Sequence, residues 1–472
     1  MSDSPRPDSV GAESASLGFV LLISCVAALG GFLFGYDSGC INGTVDALQK
    51  AFGASNLGSG FNVASMLLGC AVGAFFAGQI ADRFGRRTAL FAAAFCFFVS
   101  SWGSGAAPSS EWFIAARLIG GLAVGAASVI APAYISEVSP PAYRGRLASL
   151  QQMAIVLGLF LAFLTNYLIA AAAGGASNEF WWGFEAWQWM FWAELVPLLF
   201  FFVGLFLIPE SPRFLVAVGR NDEAEKVLRR VTGSGAGEKV REIQGTLEAG
   251  RRPRLRDLVD NSTKTVRPIV WVGLAIASLQ QLVGINVVFY YGEVLWQAAG
   301  FSTDDALKIN VIGGVINVAS TLVAIALVDR WGRKPLLLTG SIGMACTLAI
   351  LAVIFGTANV GAGGRLDLSS QLGTGALIAA NLYIVFFGIS WGPVMWVLLG
   401  EMFPNQIRGA ALAVTGLSQW LTNFVVTMSF PPLLASIGLG GAYALYAVFA
   451  VISILVVRAI VPETKGRTLE QM

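Results

Sequence analysis

Two sets of side chains stand where residues of their type are rare. Asp37, in Phe34-Gly35-Tyr36-Asp37, and Arg117 each lie inside a long apolar stretch. A buried carboxylate beside a guanidinium is held ionised, and protonation releases the pair, so proton occupancy can bias two packings of the helices that carry them. The chain has no histidine, so any proton handled inside it must sit on a carboxylate. The second set is neutral. Gln280, Gln281 and Asn286 precede Tyr290 and Tyr291, Gln151 adjoins Gln152, Asn317 stands alone, Trp396 closes Trp391-Gly392-Pro393-Val394-Met395-Trp396, and Gln419 adjoins Trp420. Each amide offers both donors and an acceptor and is costly to leave unpaired. Such a cluster suits a hydroxyl-rich neutral solute or hydrogen bonds between helices.

The elements that must position these groups are membrane helices. Of 472 residues, 56% are apolar and only 12% charged. The apolar residues fall in blocks of about 20, the length that crosses a bilayer core. A soluble multidomain enzyme is excluded on that count. Twelve spans are expected near 18–43, 58–81, 87–107, 112–136, 147–174, 188–208, 268–298, 308–328, 335–356, 374–400, 409–434 and 439–460. On an ideal helix Gln280 and Asn286 project about 120° apart, and a break at Gly284 brings both to one cavity. Arg117, Gly121 and Gly125 recur every fourth residue, a stripe that admits a neighbouring helix beside the arginine. A pairing of Asp37 with Arg117 across spans one and four is therefore expected. The five cysteines show no ligand-like spacing, so no metal site, disulfide framework or cofactor is expected.

Basic residues concentrate in the even-numbered connections, among them Arg83, Arg86, Arg87, Arg144, Arg213, Arg330, Arg333, Lys334 and Arg408. The positive-inside rule then puts those connections and both termini in the cytoplasm, for a multi-pass membrane protein. The long sixth connection carries apolar residues at near-helical spacing (Phe214, Leu215, Val218, Ala224, Val227, Leu228 and Val231) and reads as a small helical cytoplasmic domain. Gly233 to Lys239 lacks the Gly-Lys pair of a phosphate loop.

Three motifs occur twice, six spans apart. Asp82-Arg83-Phe84-Gly85-Arg86-Arg87 is repeated as Asp329-Arg330-Trp331-Gly332-Arg333-Lys334, and Glu137 to Arg144 as Glu401 to Arg408. Pro209-Glu210-Ser211-Pro212-Arg213 returns as Pro462-Glu463-Thr464-Lys465. Two parallel six-helix halves are the pattern of a transporter with its site between the halves. The repeated carboxylates and arginines suit ion pairs between neighbouring helix ends, forming a latch that changes with conformation.

With the motifs above, Gln280-Gln281-Leu282-Val283-Gly284-Ile285-Asn286 completes a set that resembles the sugar porter branch of the major facilitator superfamily, over all but the N-terminal tail. The resemblance implies an all-α integral membrane protein of twelve helices in two bundles, in the bacterial plasma membrane, that carries a monosaccharide by alternating access. It implies sugar binding by Gln152, Gln280, Gln281, Asn286, Asn317, Trp396 and Gln419, with Phe34, Tyr290, Tyr291, Gly392 and Trp420 at the cavity or its gate. Leu159 stands where xylose-carrying relatives have glutamine, which favours a hexose. Proton-driven members carry aspartate at Asp37, which favours a glucose-like sugar:proton symporter over a uniporter; a sugar sensor is a more distant alternative. The expected division is a tail at 1–16, bundles at 17–210 and 267–462, a linker domain at 211–266 and a second tail at 463–472. Sugar, proton and lipid are the expected partners of a monomer, with no nucleic acid.

Overall fold

Helix starts and stops follow local chemistry, and they repeat between the halves. In a computed structural model of the chain, the described residues are 17–140, 144–232, 235–249, 255–260, 264–361, 365–404 and 406–465. Ser55 caps span two (Asn56–Phe84) by accepting the Gly58 N–H at 3.2 Å, and Ser302 caps span eight (Thr303–Trp331) by accepting from Asp305 at 3.1 Å. Ser109 and Ser369 do the same for span four (Ser110–Val138) and span ten. At the other ends Gly85 and Gly332 take φ of 95° and 94°, a region that favours glycine, and turn the chain directly into span three (Arg86–Gly105) and span nine (Arg333–Thr357).

Span one (Leu17–Cys40) packs on span five (Arg144–Ala173), and span two on span four; between the halves, span two meets span eleven and span five meets span eight. Glycines set these distances. A Cβ on Gly121 or Gly125 would strike the Met66 or Cys70 carbonyl oxygen of span two, the close approach expected of that stripe.

Not every span is one rod. Span six is Ala186–Trp192 followed by Leu195–Leu207, and span ten is Ser370–Gly388 followed by Trp391–Met402. Span seven falls into Pro268–Leu282, Ile285–Tyr290 and Gly292–Ala298. Spans eleven and twelve run on as Arg408–Ile460, divided at Gly438, where φ is 69°. The connection between spans six and seven forms helices Pro212–Ala217, Asn221–Thr232 and Ala236–Ala249 around Leu215, Val216, Ala224, Leu228, Ala236 and Val240. Val218, grouped with those apolar positions by spacing, is exposed instead.

The odd-numbered connections hold elements too short for hydropathy to reveal: a helix at Val45–Phe52 and two hairpins, Glu179–Trp181 with Phe184–Glu185 and Asn359–Val360 with Leu366–Asp367. They mark the end of the bundle opposite the basic connections.

Candidate functional site

The break expected at Gly284 is present. Gly284 has φ 84° and lies against the Tyr446 ring, which a Cβ there would meet at 2.7 Å. Turning the chain at this point brings the amides into series. Asn286 Nδ2 donates to Gln281 Oε1 (2.5 Å), Gln281 Nε2 to Gln280 Oε1 (2.9 Å), and Gln280 Nε2 to the Trp391 carbonyl (2.9 Å). Gln419 Nε2 joins at Gln280 Oε1 (3.2 Å). The last acceptor in the series is supplied by the break in span ten, so the interruptions of spans seven and ten are tied to each other.

This series opens on a cavity of 1910 Å³ between the halves. Gln152, Gln280, Gln281, Asn286, Asn317, Trp396, Gln419, Phe34, Tyr290, Gly392 and Trp420 all line it, as do Gln151 and Leu159. Phe34 and Trp420 face each other across the seam with ring centres 5.6 Å apart. From there the lining runs to Asp82, Arg83, Asp329, Arg333 and Glu401, so the cavity opens on the basic face. Tyr291 is the exception and corrects the expectation: it is fully buried outside the lining, its hydroxyl donates to the Thr427 carbonyl (3.0 Å), and its ring packs on Phe430. Asn423 was missed. It lines the cavity one turn beyond Gln419 on the same helix, a spacing that was available as a signal.

Asp37 and Arg117 meet as expected. Arg117 Nη1 donates to Asp37 Oδ1 and Nη2 to Met66 Sδ (2.9 Å), the guanidinium lies 5.7 Å from the Phe191 ring centre, and each side chain of the pair is 1% exposed. Neither residue lines the cavity, whereas Ser38 does. The reading of Asp37 and Arg117 as the ionisable groups inside the spans needs correction, because Glu194 and Glu293 are buried there too. Glu194 sits between the two pieces of span six, accepts from Ser101 Oγ at 2.7 Å, and is close enough to interact with Asp37 and Arg117.

The basic face carries the repeated motifs as two matching corners. Arg86 pairs with Asp82 (2.9 Å) and Glu137 (3.0 Å); Arg333 pairs with Asp329 (3.1 Å) and Glu401 (2.7 Å). Glu210 accepts the Arg86 and Arg87 N–H groups at the start of span three, and Glu463 those of Arg333 and Lys334 at the start of span nine. The latch differs from expectation in its other members. Arg87 donates to the Leu205 carbonyl, Lys334 to that of Arg458 and Arg408 to that of Phe403, while Arg83 lies over the Phe84 ring. Among the described residues Arg83, Arg87, Arg213, Arg330, Lys334 and Arg408 form no ion pair, and no ion pair crosses between the halves. Carbonyls left open at helix ends take up the guanidinium donors. The side chain of Arg144 lies outside the described residues, as do the tail at 1–16 and residues 466–472.

Comparison with known proteins gives a consistent answer. The family profile described as "Sugar (and other) transporter" matches residues 23–472. A glucose transport protein of Synechocystis sp. is 54% identical over 99% of this chain and 100% of its own length. The D-xylose-proton symporter of Escherichia coli is 39% identical, covering 96% of this chain and 95% of the relative. A structure of the E. coli xylose transporter in a partially occluded inward-open conformation superposes with a TM-score of 0.82 at 37% identity, over 96% of this chain and 100% of that one. Another, of the xylose symporter bound to 6-bromo-6-deoxy-D-glucose, gives 0.79 at 38% identity, over 96% and 98%. On its paired motifs, its twelve spans and these matches, this chain belongs to the sugar transporter family of the major facilitator superfamily.

Proposed function

We propose that this chain is a proton-coupled monosaccharide symporter with a preference for a glucose-like hexose, working by alternating access. The observation that carries the reading is the amide series from Asn286 to the Trp391 carbonyl, opening on a cavity between the halves. Hydroxyl groups both donate and accept, so a sugar can replace members of the series without leaving a buried amide unpaired, and Trp396 and Trp420 offer apolar faces to the pyranose ring. Leu159 in the wall favours a hexose, and the glucose transport protein among the relatives supports it. The basic face is the cytoplasmic side, both termini lie there, and the cavity open on it makes this the inward-facing state of a monomer in the bacterial inner membrane.

In this reading Asp37 carries the transported proton. Arg117 holds the ionised carboxylate, and protonation frees Arg117 and loosens span four from span one. Ser38, the neighbour of Asp37 on span one, lines the cavity, so a small rotation of span one brings Asp37 toward it and opens a route for the proton. The corners at Arg86 and Arg333 stiffen each half, and the arginines without carboxylate partners, Arg83 and Arg330 among them, are free to bridge the halves when this face closes. Residues 17–210 and 267–462 are the rocking units, with 211–266 as the linker domain.

The test is uptake of labelled glucose by the purified full chain in liposomes under an imposed inward proton gradient. Accumulation above the equilibrium level supports symport. Mere equilibration overturns the coupling and leaves a uniporter with the same cavity.

A further inference from the structure

At the end of the seam opposite the cavity mouth, one asparagine ties the two halves together. Asn42, just past span one, donates from Nδ2 to the Phe289 carbonyl (2.8 Å), and its Oδ1 accepts from Asn310 Nδ2 (2.7 Å) and the Glu293 N–H (3.3 Å). Its partners all belong to spans seven and eight, so this side chain joins the two halves. Gly292 makes room for it, since a Cβ there would meet Asn42 Nδ2 at 2.7 Å.

Beside this clasp two carboxylates come together from opposite halves. Glu293, in the third piece of span seven, is 2% exposed; its Oε1 accepts from Gln297 Nε2 (3.0 Å), and its Oε2 has no hydrogen-bond partner. Asp46, on the short helix Val45–Phe52, lies close enough to the same Gln297 side chain to interact with it. The charged groups facing the pair are Lys50 on that helix and, near Asp46, Arg365 at the second hairpin. On span eight, Lys308 is engaged by Asp304. Burial raises Asp46 above its ordinary carboxylate value, while Lys50, Gln297 and Arg365 pull the other way. A buried carboxylate with an unpartnered oxygen, next to a second carboxylate, is unfavourable when ionised and ordinary when protonated.

We infer that Glu293, with Asp46 across the seam, is a second proton-binding site, filled when this end of the seam is closed and emptied when it opens. Glu293 does not line the cavity, so its proton comes from and returns to the outer solution. It is not the transported proton. Its role is to bias the carrier: the closed state binds one more proton than the open state, so acid outside favours closure of the outer end and rising pH favours its opening. The sign suits import, because the proton-rich side then drives the cavity toward the cytoplasm. One bound proton shifts the balance by at most about tenfold per pH unit. The inference rests on alternating access between the halves and is independent of Asp37.

The experiment uses the full chain in vesicles with its native cysteines replaced, spin-labelled at Leu57→Cys and Leu372→Cys, two partly or fully exposed positions near the outer ends of spans two and ten. The label distance is read between about pH 5 and pH 8, a window reaching above the ordinary carboxylate range. A long-distance population growing with pH, absent in Glu293→Gln and reduced in Asp46→Asn, supports the site. A wild-type distance that ignores pH overturns it, as does an undiminished shift in Glu293→Gln. If Glu293→Gln fails to fold, Asp46→Asn on its half-exposed helix decides: an unchanged shift there overturns the site. Asp37→Asn keeps the response, whereas an Asp37→Asn variant that still accumulates sugar faults only the Asp37 reading.

Discussion

The two halves share a scaffold and differ in what they bury at the seam. In the first half spans one and four run unbroken past Asp37 and Arg117, and glycine contacts hold spans two and four in close contact around that pair. In the second half the corresponding spans seven and ten are interrupted at Gly284 and Ser390, and the interruptions gather Gln280, Gln281, Asn286 and the Trp391 carbonyl. The contrast has a physical basis. A charge pair gains most from a dry site with fixed geometry, which continuous, closely packed helices supply. A site for a neutral polyol needs donors and acceptors in many directions, and a broken helix frees backbone groups to provide them. Under the proposed function, the unbroken half is thus suited to hold the proton and the broken half most of the sugar, with Phe34 against Trp420 as one point where the halves touch.

The contrast can be broken on the charged side first. Arg117→Leu strands Asp37 without its partner and should cost about 3–5 kcal/mol of stability, read as a lowered unfolding temperature in detergent. Adding Asp37→Asn should recover most of the loss. A single variant as stable as wild type would mean that the pair does not hold the first half together.

On the broken side Gly284→Ala should cost about 1–3 kcal/mol through backbone strain and, by crowding Tyr446, reduce glucose affinity as well. Gly53→Ala is the control, since Gly53 also has positive φ (59°) but nothing within 4 Å of a Cβ. If the two variants lose affinity equally, the break is not what builds the site. Gln281→Ala interrupts the amide series and should weaken glucose binding by about 1–3 kcal/mol in calorimetric titration. A loss no greater than that from changing exposed Asp304 would remove the series from the binding site.

The smallest effect sharpens the comparison at the basic corners. Burial pushes the Glu463 carboxyl up, but N–H groups of Lys465, Arg333 and Lys334 outweigh it and hold it below its ordinary value of 4.5. A depressed carboxylate stabilises the fold above its unfolded value, and that contribution is lost as pH falls through the folded one. The unfolding temperature should therefore drop as pH falls below about 4, and less steeply in Glu463→Gln. Because Glu463 is only partly buried at the basic surface, solvent screening keeps the difference small; an identical pH response in both proteins would show that the corner does not depend on this carboxylate.

Much of this arrangement was legible in the sequence, for reasons that also explain the omissions. Twenty-residue apolar blocks and the duplicated Asp-Arg-aromatic-Gly motif carry the spans and the repeat, and a glycine between two amide positions in span seven marks the break. Glu194 and Glu293 escaped because each sits at an interruption, where a window average absorbs one charge among many apolar neighbours. Tyr291 was grouped with Tyr290 by adjacency, yet neighbouring residues on a helix point about 100° apart, and only Tyr290 faces the cavity. The arginines were found by spacing, but spacing cannot distinguish a carboxylate partner from a free carbonyl at a helix end, which is where Arg87 and Arg408 go.

The division of labour is tested most directly by proton movement that sugar itself drives. In vesicles holding no imposed gradient, glucose added outside should make the weakly buffered medium more alkaline as protons enter with it. The account predicts this signal for the wild type and its loss in Asp37→Asn, with sugar exchange across the membrane retained. Alkalinisation that persists in Asp37→Asn would contradict it, because the proton would then travel on another group.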